Sequence, residues 1–291
     1  MGPVIVGGTL TIGLGDFTPL DLVTHNWLAV VIGILMLLTA VLAQSAVNTL
    51  NDYYDYKKGT DTIDNCVDTT DAAIIYHKLN PKAARNFAIA CISAAFVTGL
   101  IVVLLSTPLV LIMGLIGAVT LVLYSAGPKP ISYLPVGELI SGLVMGGIIT
   151  CATYLAMTGH LSLAAVLGAI PPTLTIALIM QVNNTADIQR DKEAGRRTLP
   201  ILLGERRSAS MIVTLHVVTL LYCAGYILTI APWGIFIILL AVIPSYSKLK
   251  ILWNGPYNVE NRTKVMKTTI IQAIITNGAF ILAITLGAHF A

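Results

Sequence analysis

Long apolar runs separated by short polar segments dominate this chain. A membrane-spanning helix takes about 20 consecutive apolar residues, and eight runs approach or exceed that length. The eight are Trp27–Leu50, Phe87–Leu105, Leu109–Tyr124, Tyr133–Met157, Leu161–Val182, Ser210–Ile230, Trp233–Tyr246 and Thr269–His289. A further run, Pro3–Leu14, would be only about 18 Å long as a helix. The pattern predicts an all-α integral membrane protein, a bundle of about nine transmembrane helices that forms a single domain over residues 1–291.

Composition supports this prediction and excludes other classes. Of the 291 residues, 56% are hydrophobic and 11% are charged, whereas soluble domains average about 25% charged residues. So little polar surface cannot cover a soluble core of this size. A membrane β-barrel would alternate polar and apolar residues, which these unbroken runs do not. The net charge of +3 indicates no nucleic acid partner.

Basic residues fall on one side of the predicted topology. All 17 Lys and Arg lie in segments that follow alternate spans, and the opposite connections contain none. The positive-inside rule places the charged side in the cytoplasm. We therefore expect a multi-pass protein of the plasma membrane whose large polar loops face the cytoplasm. The segment after Met1 is not basic, so we expect no cleaved signal peptide.

Two acidic clusters begin where predicted helices reach the cytoplasm. Each opens with Asn-x-x-x-Asp, as Asn48 to Asp52 and as Asn183 to Asp187. The clusters lie four predicted helices apart. This weak internal repeat predicts two pseudo-repeated halves that face one another.

The first motif offers three carboxylates. If the preceding helix continues, Asn48, Asp52 and Asp55 share one face, being spaced i, i+4 and i+7. A glycine after them can end the helix and fold the chain back, so that Asp61 joins the group. The alternative is a solvated helix end whose acids are balanced by lysines such as Lys57.

The second motif pairs acids at helical spacing. Asp187 and Asp191 are four residues apart, and Asn183 and Asn184 lie one turn before them. Like charges at this spacing repel each other, and a cation between them would relieve the repulsion. The alternative is a charged loop in which Arg190 neutralises the acids locally.

Together the two motifs suit a hard cation. Mg²⁺ takes few protein carboxylates and keeps ligand positions for phosphate oxygens. The five histidines are scattered, which argues against zinc. Lys57, Arg190 and Arg197 offer positive charge to a polyanion. A Mg²⁺–diphosphate site in an apolar membrane protein indicates a lipid diphosphate substrate, whose leaving group the metal would neutralise.

These residues resemble the UbiA superfamily of intramembrane aromatic prenyltransferases. The segments that carry the resemblance are Asn51–Asp61, Tyr124–Pro128, Gly137–Glu138 and Asn183–Leu199. The closer resemblance is to the 1,4-dihydroxy-2-naphthoate polyprenyltransferases of menaquinone biosynthesis. Five residues separate Asp55 from Asp61, a spacing that suits this branch. The superfamily's Tyr-x-x-x-Lys is here one residue longer, from Tyr124 to Lys129.

The resemblance implies a helix bundle around a central cavity open to lipid, with its active site facing the cytoplasm. It implies a polyprenyl diphosphate donor, a small aromatic acceptor and a Mg²⁺ cofactor. The implied metal ligands are Asp52, Asp55, Asp61, Asp187 and Asp191. The implied substrate contacts are Asn48, Asn51, Lys57, Tyr124, Lys129, Asn183, Asn184, Arg190 and Arg197.

Several alternatives remain open at this point. The same metal site would serve another acceptor, such as 4-hydroxybenzoate or a glycerol-phosphate lipid. A secondary transporter also combines repeated halves with intramembrane polar residues, although its site would lie nearer the midplane. Glu138 near a helix start suits a functional group or a headgroup-level side chain. Tyr124 suits a ring facing a developing cation or an interfacial aromatic.

Overall fold

A computed structural model describes residues 1–58, 73–125 and 130–289, and every regular element within them is helical. The α-helices are α1 (Gly2–Gly13), α2 (Pro19–Thr24), α3 (Trp27–Lys58), α4 (Ala73–Tyr76), α5 (Pro81–Leu105), α6 (Leu109–Ser125), α7 (Gly137–Ser141), α8 (Ile149–Thr158), α9 (Leu163–Gly168), α10 (Ile170–Ala186), α11 (Ile188–Glu193), α12 (Leu199–Leu203), α13 (Glu205–Ile230), α14 (Ile235–Asn254) and α15 (Arg262–His289). A π-helical segment, Gly142–Ile148, joins α7 to α8. Short 3₁₀ turns span Ile131–Tyr133, Pro232–Gly234 and Val259–Asn261.

The described helices confirm the predicted fold class. Seven helical segments are long and apolar enough to cross a membrane: Trp27–Tyr54, Pro81–Leu105, Gly137–Thr158, Leu163–Ala186, Glu205–Ile230, Pro232–Asn254 and Val259–Ala288. The remaining apolar helices, α1 and α6, have 12 and 17 residues. The predicted count of nine spans is therefore not confirmed. Helix α3 continues to Lys58. Asn48, Asp52 and Asp55 therefore belong to one helix, which is the condition under which we expect them to share a face.

Two of the predicted spans are interrupted in the structure. The run Tyr133–Met157 divides into α7, the π-helical segment and α8. Glycines explain its close packing on α10: a Cβ on Gly146 would lie 2.5 Å from the backbone oxygen of Pro172, and one on Gly142 would lie 2.5 Å from that of Thr173. This approach brings α7 against α10.

The run Leu161–Val182 divides at Ala169 into α9 and α10. Two prolines, Pro171 and Pro172, lie in the first turn of α10. Proline is well placed there because the first backbone N–H groups of a helix have no intrahelical partner.

Helix α10 lies centrally in the bundle. It packs against the π-helical segment, α13, α15, α7 and α12. Helices α3 and α5 instead pack mainly on each other, and few residues of their apolar segments are fully buried. A buried apolar cluster that includes Leu178, Ile212, Leu252 and Tyr257 supports the end of α10. The second acidic motif therefore starts at the end of a closely packed helix.

Candidate active site

The second motif lies at a break in the helical chain. Helix α10 ends at Ala186 and α11 begins at Ile188, with Asp187 between them. The backbone N–H of Asp191 donates to the carbonyl oxygen of Asp187 at 2.8 Å, so the helical course continues across the break. Asp187 and Asp191 are only 8% and 3% exposed. Two acids are thus buried together just beyond a membrane-spanning segment.

Among the described residues, Asp191 is paired through one of its two carboxylate oxygens. Nη1 of Arg196 lies 3.1 Å from its Oδ1, and the Arg196 guanidinium also lies 5.2 Å from the ring centroid of Tyr133. Its Oδ2 is buried and accepts no hydrogen bond from the described part of the chain. Burial raises the pKa of Asp191, against the opposing effect of the Arg196 guanidinium. A buried carboxylate oxygen without a donor is suited to a metal ion.

Asp187 contacts an arginine from a distant helix. Nε of Arg262, the first residue of α15, lies 3.2 Å from its Oδ2. Burial nevertheless raises the pKa of Asp187 to about 6, against the opposing effect of the Arg190 guanidinium. The nearby Asp191 carboxylate contributes to the rise. Binding a cation between the two acids would therefore relieve an unfavourable concentration of negative charge.

The two asparagines of the motif have different partners. Asn184 Nδ2 donates to Oε1 of Glu138 at 2.8 Å, and both side chains are buried. Asn183 Oδ1 accepts from Nη2 of Arg262 at 2.9 Å. The Glu138 carboxylate also faces the backbone amide of Leu199. Glu138 therefore lies inside the protein beside the second motif rather than at an exposed headgroup level.

Tyr124 adjoins the same region. Its hydroxyl oxygen lies 3.6 Å from the position that a Cβ on Gly137 would take, next to Glu138. The hydroxyl is within electrostatic range of Glu138, Arg196 and Asp191. The fold thus places Tyr124, a predicted substrate contact, near the second motif.

The first motif occupies the end of α3. Asn48 accepts a hydrogen bond from Gln44 at 2.8 Å, and Asn51 and Lys57 are exposed. Asp52 is partly buried and borders an open cavity of about 370 Å³ between α3, α4 and α5. The Asp55 side chain, Asp61 and Lys129 lie outside the described residues.

A divalent ion fits the second motif by the chemistry of its donors. Asp187 and Asp191 offer buried carboxylate oxygens, which hard cations prefer, and Oδ2 of Asp191 has no donor among the described residues. No group of three or more His, Cys, Asp or Glu side chains with metal-binding proximity occurs within those residues. A complete site therefore needs ligands from elsewhere, and the predicted first-motif aspartates remain candidates.

Two participants were not among the sequence predictions. Arg196 binds Asp191, whereas its predicted neighbour Arg197 is exposed and donates its backbone N–H to the carbonyl of Tyr133 at 2.9 Å. Arg262 binds Asp187 from 75 residues further along the chain. The Arg196-Arg197 pair was visible in the sequence, but no local pattern marked Arg262.

Fold and site together define a polytopic helical membrane protein with a buried acidic site at one end of its central helix. Residues 18–271 match the UbiA prenyltransferase family. The chain belongs to that family.

Two curated relatives share the same name. The chain is 32% identical over 209 residues to 1,4-dihydroxy-2-naphthoate octaprenyltransferase of Bacillus subtilis, covering 71% of this chain and 66% of that protein. It is 30% identical over 215 residues to the enzyme of that name from Haemophilus influenzae, covering 72% and 70%. The match thus spans slightly less than two thirds of the length of the Bacillus relative.

A solved structure confirms the fold. A UbiA homologue from Archaeoglobus fulgidus, bound to GPP and Mg²⁺, superposes with a TM-score of 0.60 at 17% identity. The superposition covers 98% of this chain and 95% of that one. At this identity the likeness establishes the architecture alone.

Proposed function

We propose that this protein transfers a polyprenyl group from a polyprenyl diphosphate to a small aromatic acceptor in a Mg²⁺-dependent reaction. The observation that carries the proposal is the buried pair Asp187 and Asp191 beyond the end of α10. Buried carboxylates are costly unless they are paired or coordinate a metal. Here burial raises the pKa of both, and one oxygen has no donor among the described residues.

In the proposed site Asp187 and Asp191 would hold the metal together with Asp52, Asp55 and Asp61 of the first motif. When bound, Mg²⁺ would neutralise the negative charge on the departing diphosphate. The residues of this chain do the remaining work, since they position the substrate and keep water out.

Cationic side chains near the second motif would bind the diphosphate. Arg190 is within electrostatic range of Asp187 and Asp191, and the guanidinium of Arg196 is already fixed by Asp191 and Tyr133. A planar guanidinium offers two parallel donors to a phosphate. Asn184, held by Glu138, would orient the same group. The apolar surroundings would shield the allylic cation until a ring carbon of the acceptor captures it, with loss of the proton or carboxylate that the prenyl group replaces.

The proposed acceptor is 1,4-dihydroxy-2-naphthoate, as in menaquinone biosynthesis. Two relatives that carry this substrate in their names support it, at 32% and 30% identity. The proposed donor is supported by the Archaeoglobus homologue, which binds GPP with Mg²⁺.

We also propose that the protein lies in the plasma membrane with this site facing the cytoplasm. The support is the one-sided distribution of Lys and Arg in the sequence. Reporter fusions to the segment between α11 and α12 and to the segment between α8 and α9 test it, with cytoplasmic signal expected from the first only.

A transfer assay tests the function. Purified protein in nanodiscs receives Mg²⁺, prenyl diphosphates of several lengths, and the three candidate acceptors: 1,4-dihydroxy-2-naphthoate, 4-hydroxybenzoate and a glycerol-phosphate lipid. Mass spectrometry should find prenylated naphthoate, and EDTA should abolish it. Prenylation of a different acceptor would overturn the acceptor assignment, and absence of every prenylated product would overturn the proposed reaction.

A further inference from the structure

Arg262 links the start of α15 to the end of α10. Its Nε lies 3.2 Å from Oδ2 of Asp187, and its Nη2 donates to Oδ1 of Asn183 at 2.9 Å. The Arg262 side chain is 20% exposed and that of Asp187 is 10% exposed. The contact is therefore largely shielded from water. A charge-assisted interaction in such a shielded position is stronger than one at the surface.

The geometry requires an arginine. Asn183 and Asp187 are four residues apart at the end of α10 and lie on the same face. A guanidinium carries several donors in one rigid plane, whereas a lysine ammonium is a single point charge. Arg262 contacts the two side chains through two nitrogens that are fixed in one plane, whereas the rotatable donors of an ammonium on a single nitrogen would restrict them less. With Oδ2 held, rotation of the Asp187 carboxylate is restricted and Oδ1 keeps a defined position.

The partner of Arg262 is itself supported. Asn183 Nδ2 lies 3.5 Å from Oδ1 of Asn184, at the limit of a hydrogen bond, and Asn184 donates to Glu138 at 2.8 Å. The sequence of contacts therefore runs from α7 through α10 to α15. A carboxyl group lies at each end of this chain of polar groups, Glu138 at one end and Asp187 at the other.

We propose that Arg262 is a positioning residue that fixes the Asp187 carboxylate for metal binding from outside the coordination sphere. The proposal rests on the proposed function, because it takes Asp187 as a metal ligand. Arg262 contacts Asp187 as an ion pair. Outer-shell partners of a metal ligand orient it, and their removal typically lowers metal affinity or activity by about 10- to 100-fold.

Charge alone would act in the opposite direction. Arg262 is a cation close to the ligand, so its removal would strengthen the binding of a divalent ion if only electrostatic repulsion mattered. A purely structural role would change the stability of the protein and leave the metal affinity of the folded fraction unchanged. The direction of the change in metal affinity therefore distinguishes the three cases.

The experiment measures Mn²⁺ affinity on the full-length protein in nanodiscs, without prenyl diphosphate, by electron paramagnetic resonance. Arg262→Gln should raise the Kd for Mn²⁺ by about 10- to 100-fold. Arg262→Lys should give a smaller increase, because it keeps the charge and loses the two-point geometry. Lys264→Gln is the matched control, since Lys264 is an exposed cation two residues further along α15, and should match the wild type.

A double-mutant cycle makes the test specific to Asp187. In an Asp187→Asn background, Arg262→Gln should cause no further loss of Mn²⁺ affinity, because the ligand that Arg262 positions is already absent. An equal loss in both backgrounds would contradict the proposal.

Unchanged or tighter Mn²⁺ binding by folded Arg262→Gln would overturn this inference and leave the proposed function standing. If Arg262→Gln does not fold, Arg262→Lys decides, and an unchanged Kd in that variant has the same meaning. Failure of the wild type to bind Mn²⁺, with or without added geranyl diphosphate, would instead overturn the proposed function.

Discussion

Asn184 donates a hydrogen bond of 2.8 Å to the carboxylate of Glu138, at a buried contact between α10 and α7. The two residues are 46 positions apart in the chain. Their contact is possible because Gly142 and Gly146 let the segment after α7 approach α10 closely. A carboxylate outside both acidic motifs thereby fixes the amide of a residue inside one of them.

Replacing Glu138 tests this contact. Glu138→Leu leaves the Asn184 amide without its acceptor, and an unsatisfied buried donor costs about 1–3 kcal/mol. The variant should therefore have a lower free energy of unfolding, measured by denaturant titration in detergent. It should also lose prenyl transfer, because Asn184 is no longer held. Glu138→Gln keeps an acceptor oxygen and should retain most of the stability. Equal stability of Glu138→Leu and wild type would contradict a supporting role for this contact.

Replacing the buried acids tests the metal site. Asp187→Asn and Asp191→Asn each remove a charged ligand, so turnover at saturating substrate should fall by more than about 100-fold, a larger loss than that typical of outer-sphere groups. Glu193→Gln is the matched control, because Glu193 is exposed on the same α11 and bonds only Gln189 among the described residues. Its turnover should remain near that of the wild type. Wild-type turnover in either folded Asp variant would remove that residue from the mechanism.

Replacing Gly146 tests the packing that assembles the site. An added Cβ would lie 2.5 Å from two backbone atoms, the Pro172 oxygen and the Thr173 Cα. Backbone cannot move aside as a flexible side chain does, and overpacking typically costs about 1–3 kcal/mol. Gly146→Ala should therefore lower the thermal midpoint and reduce activity together. Gly114→Ala, with nothing within 4 Å of the added carbon, should do neither. A stable and fully active Gly146→Ala would show that the site does not depend on this approach.

The helices could be predicted because hydropathy is a local property. Each of the eight apolar runs contains helix in the structure, since in a bilayer every backbone polar group must be satisfied within the segment. The interruptions at the π-helical segment and at Ala169 were not predicted. They depend on glycine contacts and prolines whose effect is set by the neighbouring helix, which an apolar run alone does not reveal.

The site could be predicted only in its acidic part. Asp187 and Asp191 stand out as two acids at helical spacing beside a span. Arg262 has no such signal, because it approaches Asp187 only through the packing of α15 on α10. Glu138 was visible as an ionisable residue near a helix start, but its partner 46 residues away was not. Tertiary packing, and not local pattern, decides these contacts.

The central claim is that aspartates from both motifs hold divalent ions on one diphosphate. Anomalous scattering from crystals grown with Mn²⁺ and a non-hydrolysable prenyl diphosphate analogue tests it most directly. The account predicts manganese peaks within about 2.5 Å of carboxylate oxygens from both motifs, Asp187 or Asp191 in one and Asp52 or Asp55 in the other, a limit within the range of metal–oxygen distances of hard cations. Manganese bound to only one motif, or an analogue bound away from both, would contradict it.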